Sequence, residues 1–136
     1  MVFERKNELA LVLLFLLSMV FSAHVNAQED IINNGKVALK SGNSKELSKY
    51  FNDLVDLGFE GEKASYSKTQ AEFVLKDFFK KYPPLDFQYV HKGASKEGLT
   101  YTIGNYNYNG GSFRVLIYIK QFNGNFLIDY LDFSKE

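Results

Sequence analysis

The sequence has 136 residues, and its 16 basic and 16 acidic side chains give a formal net charge of zero at pH 7. With no surplus of Lys and Arg, the chain lacks the electrostatic footprint of a protein that binds nucleic acid or an anionic membrane. There is no cysteine. This excludes disulfides and thiolate metal ligands, so an apolar core must hold the fold together.

The N-terminal segment predicts export. Residues 9–23 carry no charge, but the stretch is shorter than the roughly 20 residues that a membrane-spanning helix needs. Val25 and Ala27 are small residues of the kind that a signal peptidase accepts. We therefore expect a signal peptide over residues 1–27, and a single periplasmic or secreted domain over residues 28–136 that has no membrane contact after cleavage. Because acidic residues offset the basic residues of the leader, an uncleaved anchor is the alternative.

Two helices are predicted at the start of the mature chain. The first carries acidic residues at its beginning, Glu29 and Asp30, and an apolar stripe that ends before Ser41–Asn43. Asn43 and Glu46 resemble a capping box for a short second helix. The following segment, residues 54–66, is expected to be extended, as a short strand or a hairpin.

The third helix is the best-specified element of the sequence. Ser67 and Gln70 match the S-x-x-Q capping box, and Pro83 and Pro84 provide a stop. Between these signals, one face repeats apolar residues at helical spacing: Ala71, Val74, Leu75, Phe78, Phe79 and Tyr82. This pattern predicts a helix packed on a core.

After the prolines the apolar period changes to two, which predicts four antiparallel strands: residues 87–92, 99–108, 113–122 and 126–133. Asn123-Gly124 is a strong signal for a type I′ hairpin between the last two strands, and Gly110-Gly111 is expected to join the middle two. These turns set the predicted register, in which Ile117 faces both Tyr130 and Gly104.

This register divides the side chains between two faces of the sheet. The face expected to form the core against the helices carries Gly104, Tyr106, Val115, Ile117, Ile119, Phe126, Ile128 and Tyr130. The opposite face, called the outer face below, is expected to carry Tyr101, Ile103, Asn105, Arg114, Leu116, Tyr118, Lys120, Leu127, Asp129, Leu131 and Phe133. Such a mixture of apolar and charged residues is typical of a surface covered by a partner.

Four segments carry a resemblance to a known family: YSKTQAEFVLKDFF (66–79), PPLDFQYVHKG (83–93), YTIGNY (101–106) and NGNFLIDYL (123–131). On these segments the chain resembles the small exported bacterial proteins grouped as domain of unknown function 4783, in the nuclear transport factor 2-like, or cystatin-like, superfamily. The resemblance implies an α+β fold, in which N-terminal helices pack on a curved antiparallel sheet shaped like a cone. It implies no activity, because the superfamily contains enzymes, binding proteins and non-catalytic dimers.

His91 is the obvious candidate for acid/base chemistry near neutral pH. If its strand pairs with the next one through a loop at residues 93–98, His91 is expected opposite Thr100, on the inner face in phase with Phe87 and Tyr89. No second catalytic group is identifiable beside it. A strand-end histidine that is hydrogen-bonded to a neighbour is therefore favoured over a catalytic one.

The cavity of the cone is the expected place for a ligand. Its candidate lining residues are Tyr89, His91, Tyr106 and Tyr130, although core tyrosines with a satisfied hydroxyl are the commoner explanation for such residues. No metal site and no cofactor are expected, because the mature chain has one histidine and no recognisable ligand spacing.

The outer face is the strongest functional lead in the sequence. Its apolar members form a candidate homodimer interface: Ile103, Leu116, Tyr118, Leu127, Leu131 and Phe133. Alternatively, the C-terminal tail or residues 54–66 of the same chain cover this face. The leading hypothesis is thus an exported, non-enzymatic module that binds a small apolar ligand or a protein partner, as a dimer. The rival is a small isomerase- or hydratase-like enzyme that uses His91 in the cone.

Overall fold

The computed structural model describes residues 2–95 and 98–136, with side chains for residues 6–17, 27–95 and 98–136. Helix α1 covers Val2–Ser41, and the chain divides into one compact unit that ends at Asp30 and another from Ile31 to Glu136. None of the described helices contains a stretch long and apolar enough to span a membrane. The side chain of Val25, before the predicted cleavage site, lies outside the described residues.

The second unit contains the remaining elements: α2 (Ser44–Ser48), β1 (Phe51–Phe59), β2 (Glu62–Ser67), α3 (Lys68–Lys81), β3 (Pro84–Ala94), β4 (Thr100–Tyr108), β5 (Gly111–Phe122) and β6 (Asn125–Lys135). The strands form one sheet in the order β2-β1-β6-β5-β4-β3. This confirms the predicted α+β class. The sheet is mixed, however, because β1 runs parallel to β6 while the other neighbouring pairs are antiparallel.

Side-chain caps define the ends of the helices. The Asn43 side chain accepts a hydrogen bond from the backbone N–H of Glu46 (3.0 Å), so the predicted cap of α2 is present. The Glu46 carboxylate binds the Lys49 ammonium (2.6 Å). At α3 both halves of the predicted capping box form, with Gln70 N to Ser67 Oγ at 3.2 Å and Ser67 N to Gln70 Oε1 at 3.1 Å.

The turn between β4 and β5 is displaced by one residue from its predicted position. The turn residues are Asn109 and Gly110, and it is Gly110 that takes a positive φ, of 114°. As a result Gly104 faces Val115, and the predicted pairing of Gly104 with Ile117 is wrong. Because the register moves by two residues, each side chain of these strands keeps its predicted face.

The hairpin between β5 and β6 begins as predicted, with Asn123 and Gly124 at φ values of 49° and 83°. Further along β6, Ile128 pairs with Ile119 but Tyr130 pairs with Tyr118, so Asp129 is an extra residue in β6. The predicted pairing of Ile117 with Tyr130 is therefore wrong.

The Asp129 bulge inverts the predicted faces of the second half of β6. Tyr130 pairs with Tyr118 and lies on the outer face, although the sequence predicts it in the core. Leu131 and Phe133 are predicted on the outer face, but they point inward and are fully buried. An extra residue reverses the alternation because successive side chains of a strand point to opposite faces.

Strand β3 forms one edge of the sheet and has two bulges of its own. Leu85 and Val90 are the extra residues relative to β4, and both side chains are exposed. Between the strands and the helices lies one core of buried apolar side chains, which include Leu39, Val55, Leu75, Phe78, Phe87, Tyr106, Phe113, Ile117 and Phe133.

Candidate functional site

His91 lies on the outer face of the sheet. Because Val90 is an extra residue, His91 pairs with Ile103, and Thr100 pairs with Ala94. The predicted inward position opposite Thr100 is therefore wrong. The His91 side chain is exposed, and its Nε2 lies 3.2 Å from the hydroxyl oxygen of Tyr101. The imidazole is thus held by a neighbouring strand on a solvated surface.

Tyr89 and Tyr106 are directed inward, and their hydroxyls bind backbone carbonyls. Tyr89 donates to the carbonyl oxygen of Ile32 at 2.7 Å, and Tyr106 donates to the carbonyl oxygen of Tyr82. Burial raises the pKa of both phenols well above the ordinary value, since removal from water disfavours a phenolate. These two hydroxyls connect the helices to the sheet.

The interior of the cone next to Gly104 is filled by aromatic rings. A Cβ atom at Gly104 would collide with Cζ of Phe87, so the space that the glycine leaves is already occupied. Phe78 and Phe79 pack against Tyr106, with ring centroids 5.8 and 6.1 Å apart. These rings occupy the space beside Gly104 and Tyr106, and the hydroxyls of Tyr89 and Tyr106 are bound to backbone carbonyls.

The outer face retains four of the six predicted interface residues. Ile103, Leu116, Tyr118 and Leu127 lie there half-buried, whereas Leu131 and Phe133 belong to the core.

Tyr130, brought to the outer face by the bulge, stacks on Tyr118 with centroids 4.8 Å apart and an interplanar angle of 26°. The Lys63 ammonium lies 5.1 Å from the Tyr130 ring centroid. A side-chain hydrogen bond and charge interaction with Tyr130 raise the pKa of Lys63. The outer face is thus a continuous aromatic and polar surface across β6 and its neighbours.

An open pocket lies at the C-terminal end of α3, and it is called the Tyr82 pocket below. Its volume is about 270 Å³, and its walls are Phe59, Glu60, Val74, Phe78, Lys81, Tyr82 and Phe113. The rings of Phe78, Tyr82 and Phe113 pack together, with centroids between 4.9 and 5.3 Å apart. The pocket is therefore largely an aromatic surface with charged residues at its rim.

Two ammonium groups approach the ring of Tyr82. The Nζ atoms of Lys81 and Lys135 lie 5.4 and 5.8 Å from its centroid, within the range of a cation–π interaction. The carboxylate of Glu60 accepts a hydrogen bond from the backbone N–H of Lys135 at 3.0 Å. This pocket is not among the sites predicted from the sequence, where Tyr82 is simply the last residue of the apolar stripe of α3.

Among the described side chains, residues 6–17, 27–95 and 98–136, no three of the metal-binding types come together. The walls of the Tyr82 pocket provide apolar contact from the rings, one ammonium from Lys81 and one carboxylate from Glu60.

The fold defines a nuclear transport factor 2-like α+β protein. The chain is similar to an NTF-2 like protein of unknown function from Silicibacter pomeroyi, with a TM-score of 0.60 at 14% identity, over 85% of this chain and 98% of that one. Within this class, residues 32–134 match the model of the family Domain of unknown function (DUF4783), and the chain belongs to that family.

Two solved family members are similar along nearly their whole length. The DUF4783 family protein from Bacteroides ovatus is 31% identical with a TM-score of 0.71, and the match covers 76% of this chain and 93% of that one. The Bacteroides fragilis protein is 27% identical with a TM-score of 0.71, over 76% and 96% of the two chains. No curated protein sequence matches the chain at a significant level.

Proposed function

We propose that the chain is an exported binding module without catalytic activity, which takes a small apolar ligand in the Tyr82 pocket. One contrast supports this most directly. The ring of Phe87 occupies the inner space beside Gly104, whereas the pocket at the end of α3 is open and largely aromatic. Its volume of about 270 Å³ is near the lower end of the roughly 300–1,000 Å³ typical of small-molecule sites.

Two further observations support the other parts of the proposal. The uncharged residues 9–23 and the small residues before Gln28 favour export and cleavage. The position of His91 favours a non-catalytic role, because its imidazole is exposed and bound to Tyr101 on the outer face. A general acid or base must reach a proton of a bound substrate, and His91 does not line the Tyr82 pocket.

Val74 provides a test of the pocket, because it lines the wall from the middle of α3. The Val74→Trp variant should fill the space with an indole ring. We expect phenylpropanol, a neutral aromatic probe, to shift the backbone amide NMR signals of Phe78, Tyr82 and Phe113 in the unmodified protein. The same titration should leave these signals unchanged in Val74→Trp.

Phe73→Trp is the matched control, since Phe73 is the preceding residue of α3 but is exposed. This variant should bind the probe as the unmodified protein does. The proposed pocket would be refuted if phenylpropanol bound equally well to both variants, or if it shifted no signal of the pocket. Native mass spectrometry of protein purified from its own host gives a separate measurement, because a co-purifying ligand would be observed directly.

A homodimer through the outer face is a second candidate function. The observation that favours it is the group of half-buried apolar residues on that face, Ile103, Leu116, Tyr118 and Leu127. Sedimentation at micromolar concentration should give the mass of a dimer, and Leu116→Lys should produce a monomer, because a buried ammonium in the interface would be unpaired. A monomer in both samples removes the dimer from the proposal.

A further inference from the structure

We infer that the open edge of β2 pairs with β2 of a second copy of the chain, as antiparallel strands related by a twofold axis. Among the described residues, β2 pairs with β1 on one side and with no strand on the other. Residues 62–65 are exposed, and the pairing with β1 contains no bulge. This edge is separate from the Tyr82 pocket and from the outer face, so the inference goes beyond the proposed function.

The hairpin between β1 and β2 determines which backbone groups of β2 point to the open edge. Residues 60–61 form its two-residue turn, with φ values of 56° and 84°. In such a turn the closing pair, Phe59 with Glu62, is a hydrogen-bonded pair of the ladder. Because hydrogen-bonded and non-hydrogen-bonded pairs alternate along antiparallel strands, Lys63 and Ser65 direct their N–H and C=O groups away from β1.

The side chains of these two residues lie over the outer face and leave the edge uncovered. The Lys63 ammonium lies 5.1 Å from the ring centroid of Tyr130, on β6, and the Ser65 hydroxyl donates to the carboxylate of Asp56, on β1. A lysine on an edge strand ordinarily protects a sheet against strand addition. Because Tyr130 holds Lys63 over the sheet, the ammonium does not shield the edge.

Charge and helix capping select one register for the pairing. With Ala64 on the twofold axis, Lys63 faces the partner's Ser65, and the outward backbone groups of both residues are paired. With Lys63 on the axis, two like charges would be directly opposed, which is unfavourable. With Ser65 on the axis, the pairing would need the N–H of Ser67, which already donates to Gln70 Oε1 at 3.1 Å. In the first register, the edge is complementary to a second copy of itself.

A single cysteine tests this register, because the chain contains none. In a non-hydrogen-bonded antiparallel pair the two Cα atoms lie about 4.5 Å apart, and a disulfide spans roughly 4.4–6.8 Å. We expect Ala64→Cys to form a covalent dimer under mild oxidation at high protein concentration, measured as intact mass. Glu62→Cys is the matched control. Position 62 is also exposed on the same face of β2, but its two copies would lie about 14 Å apart along the strands, so this variant should remain monomeric.

A proline variant tests the hydrogen bonds of the edge. Proline is tolerated in an edge strand where the N–H would face solvent, so Ser65→Pro should retain the fold, which the amide NMR spectrum verifies. Without the donor of residue 65, the double variant with Ala64→Cys should lose the covalent dimer. Ser65→Ala is the matched control, because it removes the same hydroxyl and keeps the N–H, so the covalent dimer should persist.

Three outcomes would overturn the inference. Equal crosslinking of Ala64→Cys and Glu62→Cys would show that random collision forms the disulfide. Loss of the Ala64→Cys crosslink on adding Leu116→Lys would assign the contact to the outer face, where Leu116 lies. If Ala64→Cys forms no covalent dimer, and a hexapeptide of alternating Thr and Val shifts the amide NMR signals of Lys63 and Ser65, the edge binds a foreign strand and not a second copy.

Discussion

Gly104 illustrates how a single residue determines the packing of the interior. It lies on β4, next to β3, and the ring of Phe87 from β3 packs directly against its backbone. A side chain at position 104 would collide with this ring. Because it has no side chain, Gly104 leaves space on the inner face of the sheet. Phe87 takes that space because the two residues lie on the same face of neighbouring strands.

A pair of glycine substitutions tests this close contact. Gly104→Ala should lower the free energy of unfolding by about 1–3 kcal/mol, because the new methyl group overpacks the core. Gly35→Ala is the matched control in helix α1, where the added Cβ meets only the Tyr89 hydroxyl at 3.5 Å. This second change should raise stability by about 0.5–1 kcal/mol, as Ala is the better helix residue. Urea denaturation measures both, and equal effects would contradict the assignment of the Phe87 contact.

The inward tyrosines predict a dependence of stability on alkaline pH. The raised pKa of Tyr89 and Tyr106 means that the folded protein favours the neutral phenol. Their contribution is therefore complete below pH about 10, the ordinary pKa of tyrosine, and is lost as the pH rises through the raised pKa. The loss should reach up to about 1.4 kcal/mol per pH unit for each residue.

Denaturation curves recorded at increasing pH measure this loss, and Tyr89→Phe should make it shallower. Tyr101→Phe is the comparison, because Tyr101 lies on the outer face and contacts His91. An identical pH profile for the Tyr89 variant and the unmodified protein would contradict the role of its buried phenol.

At the scale of elements, α3 follows directly from its sequence signals. Its capping box, apolar stripe and proline stop all act within one element, and each is present in the structure. Strand β6 departs from its predicted register at Asp129, the extra residue, whose carboxylate binds the Lys120 ammonium at 3.0 Å. A pattern of period two contains no signal for an inserted residue, because the bulge is determined by the neighbouring strands.

The same reason explains why the site was predicted only in part. Tyr89 and Tyr106 lie on the inner face as predicted, but the bulges at Val90 and Asp129 place His91 and Tyr130 on the outer face. The Tyr82 pocket combines residues from α3, β1 and β5. Such a combination depends on tertiary packing, which local patterns do not specify.

The capping box of α3 gives a prediction at this scale. Ser67→Ala should reduce stability by about 1 kcal/mol, because the backbone N–H of Gln70 loses its acceptor. Gln70→Ala removes the reciprocal bond, and the double variant should cost less than the sum of the single changes if the two bonds act together. Thermal unfolding of the three variants measures this coupling. Strict additivity would show that the bonds are independent.

At the scale of the whole molecule, the leader remains a prediction to be tested. We expect the protein recovered from the cell envelope to begin at Gln28, because Val25 and Ala27 provide the small residues of a cleavage site. Ala27→Phe should block this cleavage and retain the leader. Intact-mass measurement distinguishes the two forms, and Asn34→Phe, within the mature domain, is a control for which the leader should still be removed. A full-length mass for the unmodified protein would favour the membrane anchor.

The bulges of β3 have a consequence for how the protein behaves in concentrated solution. Strand edges present free N–H and C=O groups on which another chain can template a growing fibril. In β3 the extra residues Leu85 and Val90 interrupt the regular spacing of these groups. The regular pairing with β4 is divided into two stretches of four residues each, 86–89 and 91–94. The edge therefore resists amyloid-like strand addition, even though the two interrupting side chains are themselves apolar.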